Sequence, residues 1–174
     1  MSTPTRILIF TGDGKGKTTA ALGMALRAAG HGMRACVVQF IKSAGSGEHQ
    51  AVRGLSGIEI LRTGLGFLPP ADDPAFARHK EAAGDGLKKT GAAIASGHFD
   101  VVVLDEICLA VAEGLLDESR VIETLRQARA NQVIVLTGRH ATQNLIDLAD
   151  TVTEMRCLKH ALSSGRQAQK GVER

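Results

Sequence analysis

One run near the N-terminus restricts this chain more than any other: Phe10-Thr11-Gly12-Asp13-Gly14-Lys15-Gly16-Lys17-Thr18-Thr19. It follows a short apolar stretch, residues 6–10, and leads into Ala20, Ala21, Leu22, Met24, Ala25, Leu26 and Ala28, a set of good helix formers. A glycine-rich loop between a strand and a helix turns successive backbone N–H groups inward on an anion. The helix N-terminus adds partial positive charge at the same place. Lys17 brings a full charge for phosphate oxygens, and Thr18 a hydroxyl for Mg²⁺. The dinucleotide-binding alternative wants Gly-x-Gly-x-x-Gly and no lysine, whereas the spacing here is Gly-x-Gly-x-Gly-Lys. The usual phosphate loop has a glycine where this chain has Thr11. Gly12 comes one place late, so the loop is a compact variant.

Beyond this loop, short β-branched runs alternate with helical patterns. Strands are expected at residues 6–10, 35–40, 58–61, 101–104, 133–136 and 151–155. Residues 101–104 and 133–136 are continuously apolar, as in strands of a parallel sheet covered on both faces. Asp73-Pro74 offers a helix start and Gly97 a stop, with Phe76, Ala83, Leu87 and Ile94 at helical spacing between them. Val121, Ile122, Leu125 and Ala128 mark another amphipathic helix, capped by Asp117 or Ser119. The repeated strand–helix order predicts a mostly parallel α/β sheet with helices on both faces. The 174 residues are expected to form one nucleotide-binding domain, with residues 159–174 as an ordered tail or flap. Two glycine-bearing loops, residues 42–47 and 63–73, should lie at the carboxyl edge of the sheet, where ligands bind in such folds.

The second chemical signal is Val101-Val102-Val103-Leu104-Asp105-Glu106, an apolar strand ending in two carboxylates. Beside a phosphate loop, an acid in this position holds Mg²⁺ or its waters; alone, the pair could equally be a surface turn. Gln39 and Lys42 follow the second strand and Arg139 the fifth, where a guanidinium can reach phosphate or ribose oxygens. Taken singly, each of these three could equally be a solvated or structural residue.

Composition narrows the class. A net charge of +3, spread without a basic block, gives no support for nucleic-acid binding. Cys36, Cys108 and Cys157 are scattered and odd in number, which suits a reducing compartment and small buried thiols better than a disulfide framework. No targeting segment or membrane span is visible, so the cytoplasm is the expected location.

Taken in order, these motifs resemble the ATP:corrinoid adenosyltransferases, the cob(I)yrinic acid a,c-diamide adenosyltransferase family. The marks are the loop Thr11 to Thr19, Gly30-His31-Gly32, Val37-Val38-Gln39-Phe40-Ile41-Lys42, Gly66-Phe67 and Val103-Leu104-Asp105-Glu106. Thr137-Gly138-Arg139, Leu148-Ala149-Asp150-Thr151-Val152-Thr153-Glu154-Met155, Lys159-His160 and Ala168-Gln169-Lys170-Gly171-Val172-Glu173 complete the set. The resemblance implies a RecA-like P-loop fold, a homodimer, and MgATP bound in reversed orientation. In that chemistry the Co(I) of a reduced corrinoid attacks the ribose C5′ and inorganic triphosphate leaves, with a flavoprotein as a possible source of electrons. It further implies that Gly12, Asp13, Gly14, Lys15, Gly16, Lys17, Thr18 and Thr19 hold the nucleotide, with Asp13 near the ribose. Thr18 and Glu106 would ligate Mg²⁺ with Asp105 in support, and Lys17 and Glu106 are the candidate catalytic residues. Phe67 is placed against the corrin by the same resemblance, or else is an ordinary core phenylalanine. The resemblance also implies that apolar side chains of the loop after Gly66-Phe67 push away the lower axial ligand of cobalt. Pro69 stands where many members carry a tryptophan, so that wedge is smaller here, and only five residues precede Arg6.

Read without the resemblance, the residues also admit an ATPase or small-molecule kinase acting at the γ-phosphate, with Glu106 orienting a water. A protein that binds ATP and a corrinoid without turnover is a third reading.

Overall fold

Along the central strands, alternate side chains leave in opposite directions, and both directions are dry. The computed structural model describes residues 4–43, 47–52 and 54–172. Within them β1 (Arg6–Thr11), β2 (Ala35–Gln39), β3 (Ile58–Arg62), β4 (Val101–Asp105), β5 (Val133–Thr137) and β6 (Thr151–Glu154) form one sheet in the order β3-β2-β4-β5-β1-β6. Every pairing is parallel. All six strands lie where the apolar patterning put them, and the fold is the RecA-like class expected.

On one face, Val37, Val101, Val103 and Val135 pack against α1 (Lys17–Gly30) through Ala21, Ala25 and Ala28. Alanines on that stripe let the helix approach the sheet closely, which brings its N-terminus over the carboxyl edge of β1. On the other face, Val38, Val102, Leu104, Ile134 and Leu136 pack against α3 (Phe76–Ala95), α4 (Ile107–Ala112) and α5 (Glu118–Leu125). The remaining helices, α2 (Gly47–Val52) and α6 (Gln143–Leu148), are short. The larger core thus joins strand faces to helices, of which α3 and α5 were legible as apolar stripes in the sequence and α4 was not.

Two helix ends differ from expectation or resolve it. Asp73 does not cap α3: its carboxylate accepts from the Ala75 N–H at 2.7 Å and closes a turn before the helix begins at Phe76. The first residues of a Pro-containing segment can satisfy their donors in such a turn as well as in a helix. For α5 the cap is Asp117, whose carboxylate accepts from the Arg120 N–H at 3.1 Å.

The strands end nearly level, so Thr11, Gln39, Arg62, Asp105, Thr137 and Glu154 form a row along one edge. Loop 63–73 is tied to that edge, since the N–H groups of Thr63 and Gly64 donate to the Gln39 carbonyl and that of Gly66 to Ile41. Of loop 42–47, residues 44–46 lie outside the described residues, and Gly47 already begins α2. The expected tail contains a short 3-10 turn, Ala161–Ser164, and Glu173 and Arg174 lie outside the described residues.

Candidate nucleotide site

At the edge of β1 the loop closes on itself. The Lys17 ammonium donates to the carbonyls of Gly12 and Gly14, both at 2.7 Å, so the cation is fixed inside the ring of backbone it leads into. Burial pulls its pKa below the ordinary amine value, while Glu106 pushes in the opposite direction. The late glycine of the compact loop has a structural reason. Gly12 adopts φ 90°, and a β-carbon there would lie 2.5 Å from the Met155 carbonyl oxygen. The same carbonyl accepts the Gly14 N–H at 2.6 Å. The loop is therefore seated on the residue that follows β6, and only glycine fits the approach.

Behind Thr18 stands Asp105 at the end of β4, buried to 1% exposure. Its Oδ1 accepts from the hydroxyls of Thr18 at 2.7 Å and Thr137 at 2.8 Å, and its Oδ2 from Gln39 Nε2 at 3.0 Å. Lys42 lies 4.0 Å from Oδ2 and 3.6 Å from Glu48. Asp105 is thus enclosed by donors, which suits a supporting role. Glu106 follows at φ 66°, a left-handed backbone that turns the chain sharply into α4. Its Oε2 is buried without a hydrogen-bond partner among the described residues. Burial, then Asp105, raises the Glu106 pKa above the usual carboxyl value, with Lys17, Lys42 and Arg139 pulling it down.

A cavity of about 270 Å³ gathers most of the expected nucleotide residues: Asp13 through Thr19, Lys42, Glu106 and Arg139 line it. Arg139 Nε and Asp13 Oδ1 are 4.0 Å apart at its mouth, both largely exposed. Gln39 does not line it and meets it only through its hydrogen bond to Asp105. Phe67 is fully exposed, so it is no core residue, and it belongs to neither this cavity nor its neighbour. That neighbour is an apolar groove of about 530 Å³ between α1 and α2, lined by Leu22, Leu26, Ala51, Val52, Leu55 and Ile58 among others. Thr19, Lys42, Glu48 and Val172 line both spaces.

The donor set fits a hard divalent cation. The unpartnered Glu106 oxygen and the Thr18 hydroxyl are oxygen ligands of the kind Mg²⁺ takes. Among the described residues no group of three or more His, Cys, Asp or Glu could hold a metal. A cation here would complete its shell with phosphate oxygens and water.

Sequence reasoning missed three participants. Thr137 was seen only as the start of a motif aimed at Arg139, the Met155 carbonyl carries no side-chain signal, and Glu48 sits in an unremarked short helix. A polar residue ending an otherwise apolar strand was the available clue for Thr137.

A phosphate-gripping loop facing a desolvated acid pair is shared by many nucleotide enzymes; the whole-chain pattern decides among them. Residues 4–174 match the family described as ATP:corrinoid adenosyltransferase BtuR/CobO/CobP. The chain belongs to that family. A corrinoid adenosyltransferase of Pseudomonas aeruginosa is 40% identical over 169 residues, covering 96% of this chain and 82% of that protein. Corrinoid adenosyltransferases of Escherichia coli K12 and Salmonella typhimurium are 36% and 38% identical, each covering 96% of this chain and 84% of its own length. Among solved structures, the flagellar accessory protein FlaH of Methanocaldococcus jannaschii superposes with a TM-score of 0.57 over 88% of this chain and 72% of its own. At 12% identity that likeness concerns the fold alone. Within a chain of that family, the loop residues Asp13 to Thr19, Glu106 and Arg139 line one cavity, with Asp105 hydrogen-bonded to Thr18 behind it.

The raised Glu106 pKa has a consequence for stability. The folded protein holds this proton more tightly than the unfolded chain does. The associated stability is therefore complete below the ordinary value of 4.5 and is lost as pH rises through the folded value. Without nucleotide or divalent cation, Glu106→Gln should unfold at progressively higher urea than the parent as pH is raised from 4.5 toward neutrality. Urea midpoints whose difference is the same at every pH would contradict a desolvated Glu106.

Proposed function

We propose that this chain transfers the 5′-deoxyadenosyl group of ATP to the Co(I) of a corrinoid, releasing inorganic triphosphate. The observation that carries the proposal is membership of the adenosyltransferase family along nearly the whole chain, with a complete phosphate cradle at its centre. The electron pair of Co(I) forms the bond to C5′, the C5′–O bond breaks, and its electrons leave with the triphosphate. Cobalt ends two electrons more oxidised, and no proton needs to move. The protein's task is alignment and charge neutralisation, because the nucleophile needs no general base.

In this reading Gly12, Gly16 and Thr19 present backbone donors to the triphosphate and Gly14, its N–H held by the Met155 carbonyl, shapes the loop around it, while Lys15, Lys17 and Arg139 supply positive charge. Asp13 is assigned to the ribose. Thr18 and Glu106 would hold Mg²⁺, with Asp105 and Gln39 fixing Thr18 from behind. When bound, the cation neutralises charge on the departing triphosphate. Lys42, between Glu48 and Asp105, stands where the phosphate cavity meets the apolar groove. That groove and the exposed Phe67 support a second, largely apolar substrate close to the phosphates.

We further propose one nucleotide-binding domain with residues 159–174 as a flap, since His160 and Val172 line the phosphate cavity. Cytoplasmic location and a flavoprotein reductant fit the chemistry; among the described residues no helix is long and apolar enough to cross a membrane. A homodimer suits β6, an edge strand whose four residues are all exposed. Sedimentation should give twice the chain mass, and a single-chain mass would remove the dimer.

The deciding assay is anaerobic incubation of chemically reduced cobalamin with MgATP. A light-sensitive cobalt–carbon spectrum with stoichiometric triphosphate is expected; orthophosphate without that spectrum would mean an ATPase. Lys17→Ala should lower kcat by about 10²–10³-fold, as for other lost electrostatic contacts to a developing anion. Phe67→Ala should raise the KM for the corrinoid and leave that for ATP unchanged, and parental corrinoid kinetics would end the assignment of Phe67.

A further inference from the structure

The hydroxyl of Thr137 joins two strands at the site. β4 and β5 run in register through Leu104 and Leu136, so Asp105 and Thr137 are the next neighbours, side by side at the carboxyl edge. Both are buried, at 1% and 0% exposure. Thr137 Oγ1 donates to Asp105 Oδ1 at 2.8 Å and accepts the Glu106 backbone N–H at 2.9 Å. It is a relay between an acid on one strand and the backbone of the acid that follows it.

The proton positions follow from what each group can do. A carboxylate accepts and never donates, and a hydroxyl has a single proton. Asp105 Oδ1 receives both Thr18 and Thr137, so both hydroxyl protons point at it. Thr137 therefore meets the Glu106 N–H with a lone pair. The lone pairs of Thr18 are turned away from Asp105, and Thr18 lines the nucleotide cavity. Glu106 meanwhile occupies φ 66°, with no side-chain cap at the start of α4. A residue with a β-carbon keeps that conformation only where its surroundings over-determine it. The Thr137 oxygen is the partner that holds its N–H. Gly138, the next residue, lets β5 end hard against α4, since a β-carbon there would lie 2.7 Å from the Leu109 nitrogen.

We infer that Thr137 is a positioning residue for the divalent-cation corner, its hydroxyl locking the Glu106 backbone to Asp105 so that Glu106 and Thr18 present their oxygens to one cavity. This rests on reading Thr18 and Glu106 as the cation ligands. Thr137 touches neither substrate nor cation in this scheme; it acts through the two residues that do.

The test is a titration of Mn²⁺ into the full-length protein with saturating ATP and no corrinoid, read by electron paramagnetic resonance. It compares the parent, Thr137→Val and Thr137→Ser. Removing a group that orients a metal ligand typically lowers affinity about 10–100-fold, so Thr137→Val should lose Mn²⁺ affinity in that range while Thr137→Ser stays within about threefold of the parent. In steady state at saturating Mg²⁺, Thr137→Val should lower kcat with little change in the KM for ATP. Parental Mn²⁺ affinity in Thr137→Val would overturn the inference. So would equal losses in the two variants, which would point to the shape of the packed side chain and not to its hydroxyl. Should Thr137→Val not fold, Thr137→Ala against Thr137→Ser makes the same comparison. Because no corrinoid is present, a parent protein that binds Mn²⁺ with ATP yet forms no cobalt–carbon bond would refute adenosyl transfer and still leave Thr137 decided by the titration.

Discussion

The buried carboxylate of Asp105 is the constraint on which the site depends. It accepts from α1 through Thr18, from β2 through Gln39 and from β5 through Thr137. A buried acid is tolerable only when hydrogen bonds replace its water, and each of these bonds comes from a different element. The acid thus ties the phosphate-binding helix to the centre of the sheet. Loss of a single donor would leave charge uncompensated in a dry place, so the three elements can shift only together. Such a hub gives the cavity a rigid back wall without any of its own atoms facing the ligand.

Glu106 is built in the opposite sense. Its backbone is strained, its carboxylate is desolvated, and one oxygen lacks a partner among the described residues. Adjacent residues of nearly the same chemistry thereby hold separate roles, one satisfied within the protein and one left to be satisfied by what binds. The difference comes from the end of β4: Asp105 still lies in the sheet, whereas Glu106 is the turn out of it. Lys17 sits between these extremes, held by two loop carbonyls while burial weakens its hold on the proton.

Much of this was legible beforehand. The central strands β2, β4 and β5 followed from β-branched runs, because a strand buried on both faces has little freedom to be anything but apolar. The phosphate loop was expected from residue types whose chemistry has few other uses in that spacing, and the acid pair, which alone reads equally as a surface turn, from its company with that loop. What escaped was carried by backbone or by partnership. The Met155 carbonyl has no sequence signature, and the value of Thr137 depends on a strand order that brings β5 beside β4 although 27 residues of chain lie between their bounds, Asp105 and Val133. Asp73 was misjudged because the same side chain serves a turn or a helix cap equally well. Phe67, fully exposed, is read as a contact only through the family resemblance.

The seat of the phosphate loop on Met155 reaches further than the loop. β6 is an edge strand, exposed along its length, and it is pinned to β1 by its own ladder and by Asp150, which takes the Ile7 N–H and gives its own N–H to the Ile7 carbonyl. Edges open more readily than centres, with free energies well below that of global unfolding. The loop proposed to grip the triphosphate therefore leans on one of the least protected parts of the sheet. Warming such a protein should dissolve its ligand grip at the margin while the interior is still intact, and anything that covers β6 would lengthen the working life of the site from a distance.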